Sequence, residues 1–500
     1  MYQSLIFNHF PLLSGRSAPR PPRPVRIHHL PIELLQLIFE EVVAEFDENS
    51  DRTPTFLDAH ELGLVCRSWR TIVLNTPILW SVIDTNYPPE VLDLSLQRAS
   101  GAPLTLYLDP RPTELYDTSI DVSWKLYQRI HLFKSFNSRP RFHDWHILRG
   151  QLRSAAPLLE SLKISMYSYV SPVRYLPKNM FGGVRPPRLR ELLLRGFHIP
   201  WGSHLLQNLT ILELEAQNRP TYTSFIQSLQ NMPSLQKLSL DDSLPSDVEH
   251  GNVDVDVVSL PKLRIVKIKD NVGPYTLFLQ YVKLSFTHFH LHLQAPSLGE
   301  TGGSEALFQA LSTHLHVDDK GYYMDRFILH TEQATPWSGQ ICRIVGSLPC
   351  LGNALEDVDI DIALQTYSNE ESLAVEYCLT CALRHLNLRN VSELALCVPI
   401  PLSYSFWMVV LPTAFPTLSE IAFTAETMTL FFDAYAEFFR SQEGRSDFGR
   451  VIPFKRLKRI TCDLSRGFGN NVTSVLDTLE GTIAPWTELV HEKCCWKLRS

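Results

Sequence analysis

Two stretches, Pro233 to Leu240 reading PSLQKLSL and Pro261 to Ile268 reading PKLRIVKI, share one pattern: proline, any residue, leucine, two residues, apolar, any, apolar. It recurs at Pro157-Leu159-Leu162-Ile164, Pro187-Leu189-Leu192-Leu194 and Pro416-Leu418-Ile421-Phe423. With 34 prolines and 44% hydrophobic residues, chance supplies about one such match, so this recurrence marks an internal repeat. Without the proline, further candidates begin at Tyr127, Leu209, Phe286, Met324, Leu355, Leu383 and Leu457. Their support is a spacing of roughly 20 to 40 residues.

Amphipathic stretches lie between these strand-like pieces. Tyr222, Phe225, Ile226 and Leu229 share one helical face, and so do Phe431, Tyr435, Phe438 and Phe439. Strands alternating with helices at this period describe an α/β solenoid whose units bury their apolar faces by stacking on one another. The pattern resembles the leucine-rich repeat. That family places asparagine eight residues after the first leucine. Of six units checked, only the one beginning at Leu263 has it, as Asn271, which implies an irregular array.

Side chains alternate across a strand, so if the first, fourth and sixth motif residues point inward, the third, fifth and seventh form the opposite face. That face would carry Lys237, Ser239 and Asp241, then Ile265, Lys267 and Lys269, then His288, His290 and His292. Arg326 and His330 follow, then Asp357, Asp359 and Asp361, then His385, Asn387 and Arg389. The candidate recognition surface is therefore basic and histidine-rich towards its middle and acidic further along. The histidine run invites a zinc reading. It has no Cys or acidic partner identifiable from spacing, and the aspartate run lacks the glycine and distal glutamate of a calcium loop. Cys378-Leu379-Thr380-Cys381 has no second cysteine pair and reads as helix packing. No metal and no cofactor is expected.

Upstream of the repeat, Leu30 to Phe39 reads LPIELLQLIF and Leu62 to Arg70 reads LGLVCRSWR. Proline suits the first position of a helix running from Pro31 to about Phe46. At 100° per residue, Ile32, Leu35, Phe39, Val42, Val43 and Phe46 form one stripe. Leu34, Leu37 and Ile38 lie on the opposite side. A surface helix normally shows one apolar stripe, so this helix should touch its own core and a second body. Residues 47–56 read as a polar loop. Leu62, Val65, Trp69 and Ile72 then keep helical spacing until Thr76-Pro77, and Ile78-Leu79-Trp80 adds an apolar anchor.

The Leu-Pro-x-Glu opening, its Leu-Leu-x-x-Ile-Phe continuation, Leu-x-Leu-Val-Cys-Arg-x-Trp-Arg and the late Leu-Trp together resemble an F-box over residues 28–82. The long polar insert departs from that pattern. The resemblance implies a small helical module docking on the Skp adaptor of a cullin-RING ubiquitin ligase. By position it implies adaptor contacts from Leu30, Pro31, Leu34, Ile38, Val65, Cys66 and Trp69. Leucine-rich repeats commonly follow an F-box.

The expected fold class is α/β: a small all-helical F-box-like unit, then an irregular leucine-rich-repeat-like α/β solenoid. The expected boundaries are a flexible Pro/Arg-rich leader at 1–27, the helical domain at 28–82, a connecting segment at 83–126, the repeat domain at 127–490 and a tail at 491–500. A net charge of -7 gives no general attraction for nucleic acid or anionic membranes, and no apolar run is long enough to span a bilayer. Nine scattered cysteines fit reduced thiols in the cytoplasm or nucleus. No phosphate loop, nucleophile elbow or HExxH occurs, so no catalytic residue is expected. The expected function is a substrate-recognition adaptor, joining a Skp-type protein to an unknown target protein. The alternative is an interaction scaffold with no ubiquitin-ligase role.

Overall fold

A computed structural model describes residues 27, 30–44, 56–108, 124–140, 144–166, 174–245, 257–284, 290–295, 303–315, 326–333, 340–347, 360–366, 371–442, 454, 456–463 and 488–490. The protein is mixed α/β and divides after Ala102 into two compact units. No helix among the described residues is long and apolar enough to cross a membrane.

The first unit contains helices α1 (Ile32–Ala44), α2 (Phe56–Val65) and α3 (Arg67–Asn75), a 3-10 turn Pro77–Trp80, strand β1 (Val82–Asp84) and helix α4 (Pro89–Ala99). Leu35, Phe39 and Val43 form the buried stripe of α1 and share the core with Ile72, Val73, Leu79 and Trp80. The Trp80 indole donates to the Val73 carbonyl at 2.8 Å, so its one polar atom is satisfied inside the core. Gln36 donates to Thr76 Oγ1 at 3.2 Å, tying α1 to the end of α3. The pattern Leu62-Val65-Trp69-Ile72 is not one helix. Cys66 is extended, at φ -159° and ψ 170°, and its sulfur accepts the Trp69 N–H at 3.5 Å, capping α3. Residues 83–126, expected to connect, carry α4 and the next strand.

In the second unit the strands are β2 (Leu104–Leu108), β3 (Phe133–Ser138), β4 (Ser161–Ser165), β5 (Glu191–Arg195), β6 (Ile211–Glu215), β7 (Lys237–Asp241), β8 (Val258–Leu260), β9 (Ile265–Lys269), β10 (Val282–Leu284), β11 (His290–Ala295), β12 (Arg326–Gln333), β13 (Gln340–Ser347), β14 (Ile360–Thr366), β15 (Glu393–Cys397), β16 (Glu420–Thr424), β17 (Arg459–Asp463) and β18 (Glu488–Val490). One open sheet runs β2-β3-β4-β5-β6-β7-β9-β11-β14-β13-β12-β15-β16-β17-β18, while β8 and β10 form a separate parallel pair. All five proline-led motifs fall on strands (β4, β5, β7, β9 and β16), with their first, fourth and sixth apolar residues buried. The candidates at Leu209, Met324 and Leu457 fall on β6, β12 and β17.

Four frames and the strand order differ from expectation. The Tyr127 frame precedes its strand, where Phe133 and Phe136 supply the core. Strands β11 and β14 pair with their neighbours two residues later than the Phe286 and Leu355 frames imply. The Leu383 frame falls on the end of the helix Glu371–His385 and the turn after it. Its residues are buried, but the strand follows at Glu393. A plain solenoid would also add strands in chain order. Here β12, β13 and β14 enter as an antiparallel meander in reverse order, so β11 lies beside β14 and β12 beside β15.

A polar ladder holds the turns after β6, β7 and β9. Gln217 and Ser243 stand eight residues after Leu209 and Leu235, where the resembled family has asparagine. Gln217 donates to the Phe197 carbonyl at 2.6 Å and accepts the Ile199 N–H at 3.1 Å. Ser243 accepts from Gln217 N at 3.3 Å, and buried Asp270 accepts from Leu244 N at 3.0 Å. The turn after β5 is left-handed at Gly196, φ 71°, and an added Cβ would lie 3.1 Å from Met166 Cβ. Gly196→Ala is expected to cost about 1 to 2 kcal/mol, read as a lower urea midpoint at unchanged slope.

Two imidazoles, His198 buried and His314 half-buried, set an acid limit. Burial holds His198 below its ordinary 6.5, although Asn218 opposes the shift; His198 Nδ1 accepts the Asn218 N–H at 2.7 Å. Burial also lowers His314, against a contact to the Leu279 carbonyl. A depressed folded-state pKa gives stability that is present above the unfolded value and lost as pH falls through the folded one. Denaturation midpoints are therefore expected to fall as pH drops below about 6.5, and His198→Gln should flatten part of that slope.

Candidate functional site

The first unit leaves uncovered much apolar surface that its own core does not use. On α1 the side chains of Leu34, Leu37 and Ile38 are exposed, Leu37 by 60%, on the side away from the buried stripe, and Val42 is exposed at the edge of that stripe. Glu33 and Glu40 edge this arc, and Glu41 is its one charged interruption. Packed against α1, the helix α2 ends with Leu64 and Val65 exposed, Leu64 by 64%. Ile32 and Val42, placed on one stripe with Leu35, Phe39 and Val43, are exposed although those three are buried. Ile32 lies in the first turn, and Val42 lies one step outside the arc that reaches the core.

The expected adaptor contacts divide by environment. Leu34, Ile38 and Val65 are exposed apolar groups, and Pro31 is exposed while its carbonyl accepts the Leu34 and Leu35 N–H groups that open α1. Leu30 and Cys66 are half-buried, and Cys66 is occupied in capping. Trp69 turns inward, its ring centroid 4.7 Å from that of Phe39. Its Nε1 is enclosed and makes no hydrogen bond among the described residues. Leu37 and Leu64 were not among the candidate contacts, although the helical wheel had already put Leu37 on the second apolar side.

The second unit presents the polar face of its sheet. Ion pairs cross between neighbouring strands: Arg195 to Glu215 at 3.2 Å, Lys237 to Glu213 at 2.8 Å, Lys269 to Asp241 at 2.9 Å, Arg326 to Glu393 at 3.0 Å and Arg459 to Glu420 at 3.5 Å. Such pairs contribute little each at an exposed face, about 0 to 1 kcal/mol. They do mean that signs alternate from strand to strand rather than forming a basic block and an acidic block. Lys267 is exposed and makes no ion pair among the described residues. His290 and His292 lie in register with Ile265 and Lys267, and His292 also lies opposite Asp361. His330 stands half-buried on β12.

Asp361 is not a free acid. It is 7% exposed and grips Arg343 with both oxygens, at 2.8 and 2.6 Å, across the antiparallel pairing of β13 with β14. His385 and Arg389 are not on the strand face at all. His385 ends the helix Glu371–His385, Arg389 follows it, and both line a cavity among helical segments. His288, Asp357 and Asp359 lie outside the described residues, as do residues 47–55 of the insert. Cys342, Cys378 and Cys381 are buried, and contact with Cys342 together with burial pushes the Cys378 thiol up, as expected of packing rather than reactive cysteines. Among the described residues no group of three or more His, Cys, Asp or Glu could hold a metal ion.

No protein-family model matches the chain, and no curated protein matches it.

Proposed function

We propose that the chain is a substrate-recognition adaptor: the first unit, of F-box type, binds a Skp-type adaptor of a cullin-RING ubiquitin ligase, and the second unit binds the target protein. The observation that carries the reading is the exposed arc Leu34, Leu37 and Ile38 with Leu64 and Val65, on a unit whose described core is made by other residues. An exposed apolar surface of this kind marks an association site, and all of these residues but Leu37 are named positions of the motif that resembles an F-box. Target binding is assigned to the polar strand face around Lys267. The mechanism is proximity: a bound target gains effective concentration near the ubiquitin-transfer machinery, with no catalytic group from this chain.

The test is affinity capture of the full-length chain from cells, followed by mass spectrometry. The expected result is recovery of a Skp-type adaptor with a cullin subunit. A capture that recovers other proteins but neither of these would favour a scaffold role instead.

A further inference from the structure

A cavity of ≈ 630 Å³ opens on the helical side of the second unit, between the end of the helix Glu371–His385 and the helical segment Phe406–Ala414. Its floor is apolar: Leu383, Leu386 and Leu388 are buried there. Its rim is basic. Arg384 and Arg389 are both exposed, and no acidic residue is among those lining the cavity. Arg389 forms no ion pair among the described residues, whereas Arg384 and His385 stand only loosely near Glu305, at 3.7 and 3.6 Å. The enclosed Nε2 of His385 makes no hydrogen bond among the described residues.

The far wall is unusual. Residues Phe406–Val410 form a π-helical turn, which Pro412 explains: it lacks an N–H, and its ring would clash with the carbonyl four residues earlier in a regular helix. The widened turn leaves Val409 58% exposed at the cavity edge while Phe406 and Trp407 stay buried. An apolar floor, an exposed valine and two arginines with an underused histidine complement one kind of occupant. The size exceeds what a bare anion fills and suits a few residues of chain.

We infer that this groove binds a short acidic peptide segment, with a carboxylate or phosphate on Arg384 and Arg389 and an apolar neighbour against Leu383, Leu386 and Val409. The binding does not depend on the adaptor reading, and it uses a different surface from the strand face. The test is fluorescence anisotropy on the full-length chain with a short labelled peptide of alternating leucine and glutamate, its phosphoserine counterpart and its glutamine counterpart. At least one anionic peptide should bind, with affinity falling as salt rises and about tenfold tighter than the glutamine form. Arg389→Glu should weaken it about tenfold, while Lys267→Glu on the strand face and Leu37→Asp on the first unit should leave it unchanged. Binding by the phosphoserine form alone would assign the anion as phosphate, and by the glutamate form alone as carboxylate. Absence of binding at about 1 mM, equal binding of the glutamine peptide, or indifference to Arg389→Glu would overturn the inference.

Discussion

Replacing Arg343 by methionine is expected to lower the unfolding free energy by about 2 to 3 kcal/mol, the largest stability effect of any single change at the polar face. In the other ion pairs named on that face neither partner is buried, so truncating them strands no buried charge. Asp361 is 7% exposed, and both of its oxygens are held by the Arg343 guanidinium at 2.8 and 2.6 Å. With the cation gone, the carboxylate must stay charged without the guanidinium that holds both its oxygens, or take up a proton. The partial exposure of Arg343 keeps the cost below that of a wholly enclosed pair. Urea denaturation of wild type, Arg343→Met, Asp361→Leu and the double variant measures it. The double variant should recover most of the loss, because two apolar groups leave no charge behind. Additive losses would show that the two side chains do not act as a pair.

That ion pair also marks the limit of what the sequence could convey. Proline-led motifs placed β4, β5, β7, β9 and β16 correctly because proline and leucine fix a turn before the apolar alternation begins. The relaxed triple has no such anchor. Apolar residues at spacings of three and two suit the last helical turn and the turn after it as well as a strand, which is why Leu383, Leu386 and Leu388 are buried without forming one. Alternation also has no direction. Cys342 and Ile344 bury one face of β13 whether the strand runs with its neighbours or against them. The reversed meander, and with it the Arg343–Asp361 contact, was therefore hidden. The polar ladder was half legible: the spacing to Gln217 and Ser243 was right, but other hydrogen-bonding groups stood where asparagine was sought.

In the first unit the two-sided character of α1 was plain from Leu34, Leu37 and Ile38 against Leu35, Phe39 and Val43. The break at Cys66 was not. No glycine or proline marks it, and the cap is a thiol, a weaker acceptor than the usual hydroxyl or carboxylate.

The second large effect concerns association. Leu34→Asp with Leu37→Asp should weaken binding of a Skp-type adaptor by at least about 100-fold, since each change removes apolar burial and forces a carboxylate into the contact at roughly 1.5 to 3 kcal/mol. Both side chains are exposed in the chain itself, so its thermal transition should not move. Ile72→Asp, by contrast, would unfold the unit, because Ile72 is core, and would say nothing about the interface.

The most direct test is titration calorimetry of the full-length chain with a purified Skp-type adaptor, wild type beside the Leu34→Asp/Leu37→Asp variant. A micromolar or tighter complex that the double substitution abolishes, at unchanged melting temperature, is the predicted result. No heat of binding from wild type, or equal affinity of the two proteins, would contradict the assignment of this face to an adaptor.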